Sequence, residues 1–248
     1  MRPCEAFKDV FEVLQSNAVS HAIVPIENTL HGSVHENYDH LLEYEARICG
    51  ETSIRISHQL IALPAVRFRD IRRVFSHPVA INQCRKFFDK FSHIEPVPFY
   101  DTAGSVKMLR EKSPPGAAAI ASESAAAIYG GRILKRNIED DRQNFTRFFL
   151  LTKQAESSAP AGSRWKTSLV FSTRNIPGAL FKAMACFALR DLNLTKIESR
   201  PLRGKPWEYL FYVDLLGRDT DPAVRKALDN LGETTEFVKV LGSYRPTP

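Results

Sequence analysis

Ala118-Ala119-Ile120-Ala121-Ser122-Glu123-Ser124-Ala125-Ala126-Ala127-Ile128-Tyr129-Gly130 reads as one complete strand-to-helix unit. Four small apolar residues make a buried strand, Ser122 stands where a helix wants its capping hydroxyl, and Gly130 supplies the left-handed stop. The same unit recurs toward the N-terminus. Val97–Tyr100 precedes Asp101, and Val74-Phe75 precedes Ser76-His77-Pro78. Pro78 fits a first helical position, and Ile81, Cys84, Phe88 and Phe91 continue that helix. Earlier still, Phe7, Val10, Phe11 and Leu14 mark one helical face, and Ala22–Ile26 is a short apolar strand. Ser33 with Glu36 forms a capping box for a helix carrying Val34, Tyr38, Leu41 and Leu42, and strand-like runs follow at Ile48–Ile56 and Gln59–Leu63. Repeated steps of this length predict an α/β region, a mostly parallel sheet with helices on both faces.

Residues 153–166 break the pattern with Ser, Ala, Pro and Gly, the composition of a surface linker. A smaller pattern then starts. Leu169-Val170-Phe171 is a strand, and a helix opens at Pro177-Gly178 with Leu180, Met184 and Phe187 inward. Leu194–Arg200 and the alternating Trp207, Tyr209, Phe211 and Val213 are two more strands. A helix from Asp221-Pro222 to Gly232 and a strand at Phe237–Leu241 complete βαββαβ, a ferredoxin-like module.

The chain of 248 residues carries 34 Lys and Arg against 28 Asp and Glu, a net charge of +6, spread along its length. That excess fits an anionic small molecule at least as well as nucleic acid, and no helix-turn-helix accompanies it. No run approaches the roughly 18 apolar residues of a membrane span, and no apolar leader follows Met1. Cys4, Cys49, Cys84 and Cys186 are scattered without metal-ligand spacing, as in reduced cytoplasmic proteins. His31, His35 and His40 do not make a metal triad and read as mostly surface positions. Arg67, Arg69, Arg72 and Arg73 read as a solvated face, and adjacent Glu139-Asp140-Asp141 diverge too much to hold a metal.

The polar residues cluster at strand-to-helix junctions: Glu27-Asn28-Thr29, Ser76-His77, Asp101-Thr102 and Ser122-Glu123. In open α/β sheets this is where ligands bind, because helix N-termini present free N–H groups there. The same residue types are also the favoured helix caps, so each junction has two readings. In Asn144-Phe145-Thr146-Arg147-Phe148-Phe149-Leu150, a hydroxyl and a guanidinium sit at the entrance of an apolar strand, where an unpaired charge is costly. Arg147 either reaches a nearby acid or faces a ligand.

These residues carry a family resemblance. Val24-Pro25-Ile26-Glu27-Asn28-Thr29, Gly32-Ser33-Val34, Ser76-His77-Pro78, Asp101-Thr102-Ala103, Ala119-Ile120-Ala121-Ser122 and Asn144-Phe145-Thr146-Arg147-Phe148 resemble prephenate dehydratases in order and spacing. The second module resembles that family's ACT regulatory domain. Its two phenylalanine-binding motifs correspond to Gly178-Ala179-Leu180-Phe181 and Glu198-Ser199-Arg200-Pro201. The resemblance implies a type II periplasmic-binding-protein-like catalytic region over 1–153, with lobe 1 at about 1–57 and 144–153 and lobe 2 at 58–143. A linker at 154–165 and an ACT domain at 166–248 would follow.

The implied reaction is decarboxylating dehydration of prephenate to phenylpyruvate in phenylalanine biosynthesis, with feedback by L-phenylalanine and no metal or cofactor. Thr146 inherits the catalytic role, and His77 is a second candidate acid, because imidazole changes charge near neutral pH. Glu27, Asn28, Thr29, Ser76, Asp101, Thr102, Ser122, Asn144 and Arg147 are the expected substrate contacts. ACT modules commonly pair across subunits, so a homodimer or homotetramer is expected.

The chain also departs from the family. Members usually open with a strand and helix carrying Gly-Pro-x-Gly-Thr, and Met1 falls after that unit. Val79-Ala80-Ile81 replaces Gln-Ala-Leu, and His31 replaces a Glu. Either the start lies further upstream, or the chain is a catalytically impaired phenylalanine-binding regulator.

Overall fold

The computed structural model describes residues 2–154, 164–202, 204–205 and 207–246. Most of the predicted linker lies outside them. In chain order the elements are α1 (Phe7–Gln15), β1 (His21–Asn28), β2 (Gly32–Ser33), α2 (His35–Glu43), β3 (Arg47–Arg55) and β4 (Gln59–Ala62). Then come β5 (Arg73–Ser76), α3 (Pro78–Asn82), α4 (Arg85–Lys90), β6 (Glu95–Pro98), α5 (Thr102–Lys112), β7 (Ala117–Ala121), α6 (Glu123–Tyr129) and β8 (Arg132–Lys135). The last are β9 (Phe145–Thr152), β10 (Lys166–Thr173), α7 (Ala179–Ala188), β11 (Leu194–Pro201), β12 (Tyr209–Leu216), α8 (Pro222–Thr234) and β13 (Phe237–Tyr244). They form two units, one of Arg55–Thr146 and one of Met1–Ile54 with Arg147–Pro248. No helix among the described residues is long and apolar enough to cross a membrane.

In the Arg55–Thr146 unit the sheet order is β6-β5-β7-β4-β8. Along β7, Ala118 and Ile120 pack with Val74, Cys84 and Phe87, while Ala117, Ala119 and Ala121 pack with Val106 and Leu109. The alternation places helices on both faces, as the apolar pattern requires. β5 runs parallel to β6 and β7, but β4 is antiparallel to both β7 and β8. The expected mostly parallel sheet is therefore mixed. β4 lies between β7 and β8 and runs against both, so β7 and β8, joined by the α6 crossover, share one direction and β4 alone opposes them. The helix expected after Pro78 breaks at Cys84 into α3 and α4, and Asp140 caps the second through the Arg85 and Lys86 amides.

The other unit holds two four-stranded sheets, β2-β1-β9-β3 and β11-β12-β10-β13. The second is antiparallel at every pairing and carries α7 and α8, the predicted βαββαβ order. Leu169, Phe171, Phe211, Val213 and Leu215 pack under those helices. The opposite face (Val170, Leu210, Tyr212, Leu241 and Tyr244) shares one core with Phe11, Ile26, Tyr38, Ile48 and Phe149. A ferredoxin-like sheet covers only one face with its own helices, and here the first part of the chain covers the other.

Two further contacts fix that junction. The Lys239 Nζ donates to the carbonyls of Leu41 at 2.9 Å and Leu42 at 3.2 Å, placing a cation at the end of α2. Burial lowers the pKa of that ammonium. A Cβ on Gly242 would strike the Ile48 backbone carbonyl, so glycine is what lets β13 lie this close to β3.

Three local expectations are overturned in this unit. The Ser33–Glu36 capping box does not form, because Val34 is the cap residue of α2 and the Ser33 hydroxyl is used elsewhere. His40 is buried beside Phe11 and Tyr44 instead of lying at the surface. α7 buries Ala183, Cys186 and Phe187, leaving Leu180 and Phe181 exposed.

Candidate functional site

Within the Arg55–Thr146 unit, β5, β6 and β7 are parallel, so Ser76-His77, Asp101-Thr102 and Ser122 all follow the carboxyl edge of the same three strands. Each has a local task there. Ser76 is fully buried and donates its hydroxyl to the Ile120 carbonyl at 2.7 Å. His77 Nδ1 accepts the Val79 amide at the start of α3. Asp101 accepts the Gly104 amide at 2.6 Å, and Ser122 accepts the Ala125 amide at 3.2 Å. The capping reading therefore accounts for the Asp101, Ser122 and His77 contacts, while the helix starts they cap still present amides along that edge. Asn144 is buried and its carbonyl accepts the Ile56 amide. Thr146 is half-buried on β9.

In the other unit Glu27 and Asn28 end β1 and pair with Ser33 and Gly32 of β2, so a strand and not a helix follows this junction. The Asn28 Oδ1 accepts the Leu30 and His31 amides, closing the turn that contains Thr29.

Arg147 has the densest set of partners. Its Nε and Nη2 reach Glu51 Oε2 at 2.7 and 2.6 Å, and Nη2 also lies 2.7 Å from Asp214 Oδ2. Glu51 holds the Lys166 ammonium at 2.6 Å, and Asp214 accepts the Ser168 hydroxyl. Burial works against the Arg147 charge, but Asp214, the Tyr244 oxygen and Glu51 outweigh it and raise its pKa. The guanidinium is thus committed to protein carboxylates on β3 and β12. The acids it reaches are distant in the chain, 96 and 67 residues away, and are not the nearby ones that the sequence offered.

The ionic chain continues. Glu27 Oε2 lies 3.8 Å from Arg147 Nη1, and its other oxygen lies 3.0 Å from Lys196 Nζ. Lys196 also reaches Glu198 Oε2 at 3.7 Å and donates to Ser33 Oγ at 3.1 Å, while Ser33 donates to Glu198 at 2.9 Å. Arg200 pairs with Asp39 at 2.9 Å. Residues 196, 198 and 200 share one face of β11 because strand side chains alternate. Glu198 and Arg200, expected around phenylalanine, therefore point instead toward the first part of the chain. Ile197, Ser199 and Pro201 occupy the exposed face. Lys196, Glu51 and Asp214 went unmarked in the sequence.

At the start of α7, Gly178 has φ +78° and nothing within 4 Å of a Cβ position. Exposed Leu180 and Phe181 flank it, with Ala179 opening the helix. Among the described residues no group of His, Cys, Asp and Glu is placed to hold a metal ion. A groove of about 700 Å³ beside α1 and β1, lined by Phe7, Val10, Val19 and Ile23, contains none of these motif residues.

The family model for prephenate dehydratase matches residues 1–156. The chain belongs to the prephenate dehydratase family. The ACT-domain model matches residues 167–233, over the βαββαβ module. Among curated relatives of the family, arogenate dehydratase/prephenate dehydratase 2 (chloroplastic) of Arabidopsis thaliana is 45% identical over 98% of this chain. The chain spans 65% of that relative's length. The prephenate dehydratase of Arthrobacter aurescens, solved with L-Phe, superposes with a TM-score of 0.88 at 33% identity, covering 98% of this chain and 80% of that one. A structure described as a novel type of quorum-quenching acylase superposes with a TM-score of 0.91 at 34% identity, covering 100% and 89%.

Proposed function

We propose that the chain converts prephenate to phenylpyruvate, releasing water and CO₂, under feedback by L-phenylalanine bound to its ACT module. The observation that carries this is the family match over residues 1–156, together with Thr146 half-buried on β9 beside a fully neutralised Arg147. The substrate needs little help. Loss of the ring hydroxyl and of the ring carboxylate as CO₂ leaves an aromatic ring, so the protein has only to assist a departing oxygen and hold the carboxylate in line. Thr146 does the first by donating its hydroxyl as charge develops on that oxygen. His77, with Nδ1 held by the Val79 amide, has its Nε2 as the second candidate donor. Thr102 and the helix starts along the carboxyl edge favour a carboxylate, and Glu27, Asn28 and Thr29 complete the proposed contacts.

Phenylalanine is assigned to the Gly178–Phe181 and Glu198–Pro201 motifs, with Gly178 and Ser199 on accessible surfaces. Because Gly178 sits in the left-handed region without crowding, Gly178→Ala is expected to act through the backbone and the added methyl group. Calorimetry is expected to show phenylalanine binding about tenfold weaker, about 1.4 kcal/mol, with prephenate turnover retained.

The function itself is tested by supplying the full chain with prephenate and with arogenate and following phenylpyruvate and phenylalanine formation. Phenylpyruvate from prephenate, suppressed by added phenylalanine, supports the reading. Higher kcat/KM on arogenate shifts the substrate. No turnover of either, with phenylalanine still bound, returns the chain to the regulatory alternative.

A further inference from the structure

We infer that Lys196 positions the Glu27 carboxylate and is the side chain through which the ACT module acts on the catalytic part. This rests on the dehydratase reading above and names the route of its regulation. Lys196 lies on β11, the edge strand of the sensor sheet, with its side chain 10% exposed. Directly across the ladder stands Asp214 of β12, which holds Arg147. Its ammonium is shared between Glu27 at 3.0 Å and Glu198 at 3.7 Å. One of these belongs to the substrate motif and the other to the phenylalanine motif. Ser33 bridges the same pair from the other side, accepting from Lys196 and donating to Glu198.

The alternation of β11 supplies the mechanism. Ile197 and Ser199 face outward where the ligand is assigned, and Lys196 and Glu198 face inward on the same strand. An edge strand has only one neighbour in its ladder, so it shifts more readily than β12 or β10. A shift that seats phenylalanine on the outer face moves the ammonium on the inner face. A second arrangement is available to the released carboxylate. The Tyr38 hydroxyl is buried with no hydrogen-bond partner among the described residues, the Asp214 charge and then those of Glu27 and Glu198 bear on it, and the Lys196 ammonium lies 5.8 Å from its ring centre. It is a spare donor inside the cluster. Two discrete pairings, biased by a ligand on one side and felt at a substrate residue on the other, are what a coupling element requires.

The test compares the full chain with Lys196→Met, which keeps the stem, with Lys196→Arg, which keeps the charge, and with Ser33→Ala. The unsubstituted chain is expected to lose prephenate turnover by a factor in the range of about 5–150 when phenylalanine saturates it, the usual span of allosteric coupling. Lys196→Met is expected to bind phenylalanine within about threefold of normal yet respond to it less than about twofold, with a raised KM for prephenate. Lys196→Arg should restore most of the response, and Ser33→Ala should reduce it. Full inhibition of Lys196→Met, or loss of its phenylalanine binding along with the response, overturns the inference. Should Lys196→Met not fold, Ser33→Ala decides, and an unchanged response there overturns it. An unsubstituted chain that turns over substrate but ignores phenylalanine overturns it as well. Absence of any turnover of prephenate or arogenate by the unsubstituted chain is a different result, because it removes the dehydratase reading first.

Discussion

Thr146→Ala is expected to lower kcat for prephenate by about 10²–10³, the cost of removing one preorganised donor from a developing oxyanion. KM should change little, because the hydroxyl is proposed to strengthen its bond only as the ring oxygen departs. Phenylalanine affinity should stay unchanged, since Gly178 and Ser199 lie in the separate βαββαβ module. Thr146→Ser, which keeps the hydroxyl, should retain most of the rate. Steady-state kinetics with phenylpyruvate as the readout checks all three. Near-normal turnover of Thr146→Ala would transfer the donor role to His77, whose Nε2 is the remaining candidate.

The second large effect is on stability. Arg147→Met is expected to cost about 3–5 kcal/mol, because it strands carboxylates that cannot be rehydrated in place. Glu51 and Asp214 have side chains only 5% and 6% exposed, and both depend on the same guanidinium. Lys166 still serves Glu51, so Asp214 is left the worse off, with the Ser168 hydroxyl as its remaining partner. Adding Asp214→Asn to Arg147→Met should therefore recover part of the loss. Arg147→Lys should not, since one ammonium cannot reproduce a planar fork that meets two carboxylates at once. Urea unfolding of the Met1–Ile54 and Arg147–Pro248 unit, followed through tyrosine and tryptophan fluorescence, checks the ordering. Equal stability of Arg147→Met and the parent would show that the ion cluster adds nothing.

What the sequence revealed was what depends on neighbours in the chain. The βα steps, the Gly130 stop and the βαββαβ order follow from periods of 2 and 3.6 and from turn chemistry, all local. Ser33 shows where this fails. Its spacing from Glu36 satisfies a capping box, yet its hydroxyl goes to Glu198, 165 residues away. The partners of Arg147 are similarly remote, at 96 residues for Glu51 and 67 for Asp214. A signal for them was present. Asp214 is the lone charge in Tyr209–Leu216, a strand apolar on both faces, and a buried charge there must have a partner. That same two-sided apolarity announces that the sensor sheet is covered on its second face. Leu180 was misplaced because periodicity fixes a face and not a depth: it shares the face of Ala183 and Phe187 but stands in the first turn of α7, where the helix end leaves it exposed.

The unity of sensing and catalysis is tested most directly by hydrogen–deuterium exchange of the full chain with and without phenylalanine. Exchange is expected to change over 194–201 and also over 26–34, where Glu27 and Ser33 meet Lys196. In Lys196→Met the first change should persist and the second vanish. A response confined to the βαββαβ module in the unsubstituted chain would contradict the account.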